Sequence, residues 1–491
     1  RTVKVRESVG VVRICNGCSH RLKKMSLNNS RMRIGLTCSF AIAAFVCSAH
    51  SATHYVSNTG GNIAPYTNWA MAATNIATTL GVGADGDSIC VTNGYYLLGD
   101  PLILTNSVML KSANGAKYTI IDGGNAFCCV SLNNTGAYVD GFTICNGSNR
   151  YGGGVYITNG GTIARCVITA NQARNGGGIY FGSAGAAVDT VIQCNTSMYD
   201  GGGCYMNDGG AITNCHVLKN VTISSGLGGG GGCTVYYNGR IVSSLIESNY
   251  STGAAGGVAS YSYVYIDRCI IRGNSHYGSA HYYGGPYVYN TLYERNVSSG
   301  VYFEGGIHYY NCTFSGNNGY AMEADLYLHG SSVPGTIMNC IFYPENTHIV
   351  AYSVTQPAFS NNYYLDPGFV DIQNGDYRLS AQSSCINGGA YDYWMTNALD
   401  LYGAPRIIDN TADIGAYEYY GSDGVVVEQS NIHYAAWNVV SGRTYSVEMA
   451  TNLFGSWSAI GPEIISASNV IAVQFSNSSY NGYYRIKYIH Q

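Results

Sequence analysis

The sequence is poor in charged residues and in proline. Charged side chains make up 11% of its 491 residues, and it contains 9 prolines. Lysine, glutamate and arginine, which favour helices, are therefore too scarce for an ordinary helical enzyme. The formal net charge is −4, and the repeats carry no basic cluster. We therefore expect no nucleic-acid partner.

Long apolar runs are also scarce. One run covers residues 34–46; basic residues precede it, and small residues at 48–52 follow it. This order is typical of a secretory signal peptide, and the run is short for a membrane span. We expect residues 1–52 to comprise spurious upstream residues plus a signal peptide. The mature chain would then be secreted or displayed at the cell surface, without a membrane span; an uncleaved membrane anchor is the alternative.

Cysteine is present, but not in a metal-binding or pairing pattern. Thirteen of the 17 cysteines follow residue 52, and their spacing follows a repeat. We predict that most are reduced thiols buried as small apolar residues. Stacked parallel strands would also strain a bridge, because their Cβ atoms point in parallel directions. No metal site is predicted among them.

Glycine and tyrosine are abundant, with 64 and 45 residues. Together with Asn, Ser, Thr, Val and Ile they indicate short strands joined by tight turns. One strand-like segment recurs: IARCVITAN, VDTVIQCN and ITNCHVLKN are its first copies. Its last residue is an asparagine, spaced by 21 to 29 residues along the chain. The copies end at Asn171, Asn195, Asn220, Asn249, Asn274, Asn296 and Asn317, with a looser copy at Asn346.

Such segments bury their apolar side only when they stack about 4.8 Å apart around a common core. The sequence therefore predicts a right-handed parallel β-helix of about eleven coils, in which Cys166, Cys215, Cys269 and Cys312 point inward. Two residues after the cysteine column lies an inward apolar column that begins at Ile168.

Three further columns describe the coil. The column one before the cysteines, from Arg165 to Asn311, is polar and is predicted to face outward. The column one after them, from Val167 to Leu292, is apolar on a nominally outer face, so a bend or a covering segment is expected there. The terminal asparagines are predicted at sharp turns, because Asn tolerates the left-handed region and stacked amides hydrogen-bond from coil to coil.

Other segments delimit this repeat. Glycine runs from Gly152, Gly176 and Gly201 open a second strand and predict corners with positive φ. Upstream, Trp69, Ala73, Ile76 and Leu80 share one helical face, which predicts an N-terminal capping helix. We assign residues 53–360 to the β-helix with its cap, 361–420 to a closing segment, and 421–491, with alternating strands, to a small β-sandwich.

Four early stretches, HYVSNTGGNIAPYTNWAMAATNI, GDSICVTNGYY, YTIIDGG and VDGFTICNG, carry a resemblance. They resemble secreted pectate-lyase-like β-helix repeat proteins of Verrucomicrobia, Lentisphaerae and Planctomycetes. Residues 361–420, with DPGF at Asp366, GDYRL at Gly375 and DIGAYEY at Asp413, look like a choice-of-anchor Q domain. The stretch from Phe314 to Asn317 is similar to repeats of polymorphic outer-membrane proteins. The resemblance implies an extracellular β-helix; since this fold hosts lyases, hydrolases, adhesins and passive scaffolds, it implies no activity.

One column could serve catalysis. Glu247, Arg272 and Glu294 lie on three successive coils. A polysaccharide lyase needs a base, often an arginine, beside carboxylates that hold Ca²⁺. The alternative is a surface charge ladder that stabilises the stack by a few tenths of a kcal/mol per pair.

A binding role has a different pattern. Tyr156, Tyr180, Tyr205 and Tyr302 occupy the middle of VYI, IYF, CYM and VYF, between inward neighbours. They are candidate binding residues, since exposed aromatic rings suit the apolar faces of sugars. The alternative is that tyrosine stands there for strand propensity and cross-strand stacking.

A last cluster lies in the closing segment. Asp400, Asp413, Glu418 and Arg406 are predicted to form a structural ion-pair cluster that closes the end of the solenoid, with a calcium site as the alternative.

We therefore predict an exported or cell-surface scaffold, a monomer, that binds glycan or another extracellular polymer without catalysis and without a cofactor. A polysaccharide lyase or glycosidase, which would bring Ca²⁺ as a cofactor, and an adhesin that binds protein partners are the alternatives.

Overall fold

The computed structural model describes residues 51–491 except 225–228, 254, 325–334, 345–348, 352–356, 409, 420–424, 430–431, 439–443, 451–457, 460–462, 466–469, 477–482 and 490–491. The predicted signal segment up to residue 50 and the loose repeat at Asn346 lie outside this part of the chain.

Four parallel sheets form the main body of the described chain. Sheet 1 has 13 strands, sheets 2 and 3 have 11 each, and sheet 4 has five. Sheet 1 contains Thr53–Val56, Ser88–Val91, Met109–Ser112, Tyr138–Asp140, Thr162–Ala164, Ala186–Val188, Ala211–Thr213, Gly239–Val242, Val264–Asp267, Tyr287–Tyr289, His308–Tyr310, Thr336–Met338 and Ala358–Ser360. Sheet 2 contains Gly94–Leu97, Thr119–Asp122, Thr143–Cys145, Val167–Thr169, Val191–Gln193, His216–Leu218, Leu245–Glu247, Ile270–Arg272, Leu292–Glu294, Thr313–Ser315 and Ile341–Tyr343.

Sheet 3 contains Leu102–Leu104, Val130–Leu132, Val155–Ile157, Ile179–Phe181, Cys204–Met206, Cys233–Val235, Ala255–Ser260, Tyr277–His281, Val301–Phe303, Met322–Ala324 and Ile349–Ala351. Sheet 4 contains Ser148–Tyr151, Gln172–Asn175, Thr196–Asp200, Val221–Thr222 and Tyr250–Ser251. The chain passes from sheet 1 to sheet 2, then in the middle coils to sheet 4, then to sheet 3, and returns to sheet 1 one coil further on. This winding confirms the predicted parallel β-helix.

The interior is filled by the predicted inward columns. Ile168, Ile192 and Val217 are in register and fully buried, and the column continues through Tyr293 and Phe314. The four cysteines predicted to point inward are at most 2% exposed; these are Cys166, Cys215, Cys269 and Cys312. All thirteen cysteines after residue 52 are unpaired thiols.

The recurring asparagines form a buried hydrogen-bonded ladder, as predicted. In each pair of neighbours the backbone N–H and Nδ2 donate to Oδ1 of the asparagine one coil on; between Asn171 and Asn195 these distances are 3.1 and 3.0 Å. Nδ2 of Asn171 also donates to the Ile144 carbonyl at 3.0 Å. The left-handed residue, however, is the one before each asparagine, such as Ala170 with φ 55°. Asparagine is selected here for its amide and not for its backbone.

A covering segment explains the apolar outer column of sheet 2, although only over the last coils. Residues of the closing segment pack on this column, with Tyr377 and Ala416 against Leu292 and with Leu379 against Ile341. The segment contains the strand pair Phe369–Asp371 and Asp376–Leu379 and the 3₁₀ helices Ile372–Asn374 and Tyr393–Met395. The upstream members Val167 and Val191 stay half-buried.

The polar column before the cysteines forms the corner between sheets 1 and 2. Its residues have positive φ, from 47° at Arg165 to 55° at Asn339. The prediction that this column faces outward is wrong for its later members, since Asn290 and Asn311 are at most 1% exposed. They are buried because the closing segment hydrogen-bonds to them: Asn311 Nδ2 donates to the Asp413 carbonyl at 2.9 Å.

The N-terminal cap is two short helices and not one continuous helix. A 3₁₀ helix spans Trp69–Met71 and an α-helix spans Ile76–Leu80. Between them Ala73 pairs with Val56 as an isolated parallel bridge, which covers the free edge of sheet 1. Ile76 is buried in the core, but Trp69 is 44% exposed and packs on the Tyr55 ring.

Beyond the closing segment the described strands are antiparallel. One sheet contains Val425–Gln429, Ile432–Asn438 and Val470–Ser476. The other contains Thr444–Ala450, Ser458–Ala459, Ile464–Ile465 and Tyr483–Ile489. These two sheets fit the predicted small β-sandwich. None of the helices within the described residues has the length and apolar character needed to span a bilayer.

Candidate functional site

The three predicted catalytic residues meet on the outer face of sheet 2. Glu247 pairs in register with Arg272, and Arg272 with Glu294. Arg272 Nε donates to Glu247 Oε2 at 2.7 Å, and its Nη1 donates to Glu294 Oε1 at 3.4 Å. His216 Nε2 lies 2.8 Å from Glu247 Oε1 and extends the ladder by one coil. The sequence therefore predicted the contacts of this cluster correctly.

The environment of the cluster does not favour proton abstraction. Burial lowers the pKa of Arg272, but its hydrogen bonds and charge pairing with Glu247 and Glu294 outweigh this, and the net shift is upward. An arginine held in this way is a poor base. Glu294 is covered by the closing segment, and its side chain is 2% exposed, so a polymer cannot reach it. The alternative of a ladder lying wholly on the surface is therefore wrong at Glu294.

We expect Arg272→Ala to lower the free energy of unfolding by about 2 kcal/mol, because the buried Glu294 carboxylate loses its near partner. Arg295 Nε remains 3.9 Å from Glu294 and limits the loss. Denaturant titration measures the change. Arg174→Ala is the control, since the described contact of this exposed guanidinium is with the Tyr199 ring, at 4.5 Å. This variant should lower the free energy of unfolding by less than about 1 kcal/mol. Equal losses in the two variants would contradict the expectation.

The predicted binding tyrosines stand in register on the outer face of sheet 3, but two of them are covered. Tyr156, Tyr180 and Tyr205 occupy one column. The Tyr180 and Tyr205 rings stack at 5.1 Å, and these residues are 8% and 7% exposed. Burial raises the pKa of Tyr180 to about 12. The expectation that these ring faces are open is wrong, because Tyr180 lies between the Tyr156 ring, which meets it edge-on at 5.4 Å, and the stacked Tyr205 ring. Tyr156 remains half-buried.

The aromatic column then shifts sideways by two residues. After Tyr205 the same column holds Thr234, Ala259 and Ala280, which are fully buried, and Tyr302 resumes it. Two residues after each of these three buried positions the chain has a tyrosine. These tyrosines are Tyr236, Tyr261 and Tyr282. These three were not among the predicted binding residues, although an even offset keeps a side chain on the same face of a strand and the sequence shows this offset. Their rings are joined at 5.7 Å and 5.1 Å.

Tyrosines from eight positions thus form one surface, which we call the tyrosine face. It contains Tyr151, Tyr156, Tyr180, Tyr205, Tyr236, Tyr261, Tyr282 and Tyr302. It spans seven coils of sheet 3, which at strand spacing is roughly 29 Å. Within it Tyr236 is 40% exposed, and the exposed rings of Tyr199, at 48%, and Tyr283, at 56%, border it. The face combines phenolic hydroxyls along its length with accessible ring faces at its borders.

Of the predicted ion-pair cluster of the closing segment, Arg406 and Glu418 form an ion pair, and this pair lies elsewhere than predicted. Arg406 is fully buried, and its Nε donates to Glu418 Oε1 at 2.6 Å. Its Nη1 donates to Asn290 Oδ1 at 3.2 Å, so the cluster fastens the segment to the flank of the solenoid, and its predicted position at the end is wrong. Backbone N–H groups donate to both Asp400 and Asp413. Within the described residues no group of three or more His, Cys, Asp or Glu side chains is arranged to hold a metal ion.

No protein-family model and no curated protein matches this chain. Two solved structures are similar at low identity. The crystal structure of pectate lyase Pel9A has 14% identity and a TM-score of 0.48, covering 75% of this chain and 97% of its own. The PL6 family polysaccharide lyase Pedsa3628 from Pseudopedobacter saltans has 12% identity and a TM-score of 0.39, covering 63% of this chain and 96% of its own. The fold is defined by the strand pairing of this chain itself.

Proposed function

We propose that this chain is an exported or cell-surface β-helix scaffold that binds a polysaccharide along the tyrosine face, without catalysis. The observation that carries the proposal is the continuity of that face over seven coils of one sheet. A linear polymer lying along the solenoid axis meets similar chemistry once per coil, and many weak contacts then add up along its length. Sugars use both features of the face, since their C–H surfaces pack on rings and their hydroxyls bond to phenols.

The absence of catalysis in this proposal is supported by the state of the Glu247, Arg272 and Glu294 cluster. Its arginine is held by two carboxylates, and one of those carboxylates is covered. The cluster lies on sheet 2 and the tyrosine face on sheets 3 and 4, so a polymer bound to the tyrosines would lie on another face of the solenoid.

The test is a binding panel with soluble xylan, mannan, β-glucan, alginate and polygalacturonate, read by affinity electrophoresis. We expect at least one polymer to bind, and we expect Tyr156→Ala and Tyr236→Ala each to weaken that binding about 5-fold. Tyr393→Ala is the matched control, because this tyrosine is 83% exposed on the closing segment and should leave binding unchanged.

Two results would overturn the proposal. The first is that no polymer of the panel binds, or that Tyr393→Ala weakens binding as much as the two face variants do. The second is catalysis: release of unsaturated sugars, followed by absorbance, that chelator and Arg272→Ala both abolish would establish the lyase alternative.

A further inference from the structure

The corner between sheets 4 and 3 contains two polar side chains that each have one buried oxygen without a hydrogen bond. The residue before each corner glycine forms an in-register column of Tyr151, Asn175 and Asp200, which we call the seam. Oδ1 of Asn175 and Oδ1 of Asp200 are buried and accept no hydrogen bond. Buried acceptors in folded proteins are nearly always paired, so two adjacent exceptions require an explanation.

The corner is tight and brings the first residue of the seam, Tyr151, against the tyrosine face. Gly176 has φ 67°, and a Cβ there would lie 2.4 Å from the Ile179 carbonyl oxygen. The chain therefore turns sharply from sheet 4 into sheet 3. As a result the Tyr151 ring reaches the Tyr180 ring across the corner at 4.8 Å. The seam and the tyrosine face thus share one surface.

Asp200 is the more unusual member of the pair. Its charge contributes to the raised pKa values of both Tyr205 and Tyr261, after the larger effect of their burial, so it lies near both residues. Burial raises the pKa of Asp200 itself to about 6. A register shift between the strands Gln172–Asn175 and Thr196–Asp200 brings Asp200 opposite Asn175. Such bulges re-aim side chains and are common beside binding sites.

We propose that the seam is a subsite in which Asn175 and Asp200 accept hydrogen bonds from free hydroxyl groups of a sugar unit, whose ring lies against Tyr151 at the edge of the tyrosine face. Hydroxyl donors are the complement of two unpaired acceptors placed one coil apart. The Asp200 carboxylate also disfavours an anionic group at the same point, so the unit taken here is a neutral sugar. This subsite rests on the proposed polysaccharide binding and specifies its chemistry.

The test uses the full chain and the neutral polymer of the panel that binds it most tightly. We expect Asn175→Ala and Asp200→Ala each to weaken binding about 5-fold through loss of an acceptor. Asp200→Asn keeps an acceptor oxygen and should stay within about 2-fold of wild type. Partial O-acetylation of the same polymer removes donors and should weaken binding to wild type more than to Asp200→Ala.

Two control variants come from the same coils. Gln172→Ala changes an exposed side chain on the strand that carries Asn175, and Asp208→Ala removes an exposed carboxylate from the coil that carries Asp200; both should leave binding unchanged. Thermal unfolding separates binding from folding, since removing an unpaired buried carboxylate should not lower the melting temperature of Asp200→Ala.

The outcomes separate the two proposals. If wild type binds a neutral polymer and both alanine variants bind it equally well, the subsite is refuted and the tyrosine face stands. If wild type binds only alginate or polygalacturonate, the neutral-sugar assignment is refuted and polysaccharide binding stands. If Asp200→Asn loses as much binding as Asp200→Ala, the charge of Asp200 matters. The proposal that Asp200 accepts a hydrogen bond from a sugar hydroxyl is then refuted. If no polymer binds, the proposed function fails and the subsite fails with it.

Discussion

Asn220→Ala is expected to lower the free energy of unfolding by about 4 kcal/mol. The side chain is fully buried in the middle of the asparagine ladder. Its Nδ2 donates to the Ile192 carbonyl at 2.8 Å and to Asn249 Oδ1 at 3.0 Å. Its Oδ1 accepts from the backbone N–H and the Nδ2 of Asn195, both at 3.0 Å.

The size of this loss follows from the partners that alanine leaves behind. A buried donor or acceptor deprived of its partner costs about 1–3 kcal/mol, and here the gap separates two otherwise continuous halves of the ladder. Asn220→Asp should also be strongly destabilising, because a carboxylate has the same shape but cannot donate to the Ile192 carbonyl. Guanidinium titration measures both variants.

The control is Asn207→Ala. This asparagine is half-buried after a strand of sheet 3 and donates one long hydrogen bond, to the Gly182 carbonyl at 3.4 Å. Its loss should be under about 1 kcal/mol. A similar small loss for Asn220→Ala would mean that strand pairing alone holds the coils together and that the ladder adds nothing.

The second large effect is expected for Arg406→Met, with a loss of about 3–5 kcal/mol. The variant leaves Glu418, whose side chain is 1% exposed, without its counter-charge. It also removes the donor to Asn290 Oδ1 that joins the closing segment to the solenoid. We therefore expect faster hydrogen exchange and proteolysis at the described residues between 361 and 419.

The loss in Arg406→Met should depend on pH. Burial raises the pKa of Glu418 far above its ordinary value, and Arg406 opposes this rise. Without the arginine the folded state binds the Glu418 proton more tightly than the unfolded state does, so stability is lost as pH rises and regained as pH falls. The difference from wild type should therefore shrink between pH 8 and pH 5. Burial also raises the pKa values of Asp400 and Asp413, and Arg406 opposes both rises, so its loss changes stability through these two carboxyls in the same direction.

Two comparisons test this account. Arg378→Met removes an arginine of the same segment that pairs with Asp376 at 2.8 Å but is partly exposed, and it should cost less than about 1 kcal/mol. The double variant Arg406→Met with Glu418→Gln should lose less than Arg406→Met alone, because the uncompensated charge is gone. A pH-independent loss in Arg406→Met would refute the electrostatic origin.

Contacts between neighbouring coils were predictable because each coil repeats the last. The steps between asparagines place Asn171 beside Asn195, and the same periodicity places Arg272 between Glu247 and Glu294. Such contacts depend on register, and the spacing of similar residues along the chain defines the register.

The left-handed turn residues were harder to assign. Both Ala170 and Asn171 lie at the corner, and the preference of asparagine for positive φ pointed to the wrong one. Its buried amide is bonded to two coils, and that use of the side chain outweighs the backbone preference. The observed φ of 55° at Ala170 shows that the turn is imposed on whichever residue precedes the asparagine.

What the sequence by itself determined is the periodic part of this protein: the coil, the inward columns, the glycine corners, the asparagine ladder and the outward parity of Tyr156, Tyr180 and Tyr205. Only the tertiary structure decided which outward residues remain exposed. The closing segment folds back from about residue 361 onto Leu292 and Ile341, buries Glu294, and covers one part of the apolar column while leaving Val167 half-buried. Likewise, the unpaired acceptors of Asn175 and Asp200 appear only when the corner brings sheet 4 against the tyrosine face. The physical reason is that period and parity are local properties of a strand, whereas burial depends on segments that are distant in the chain and do not repeat.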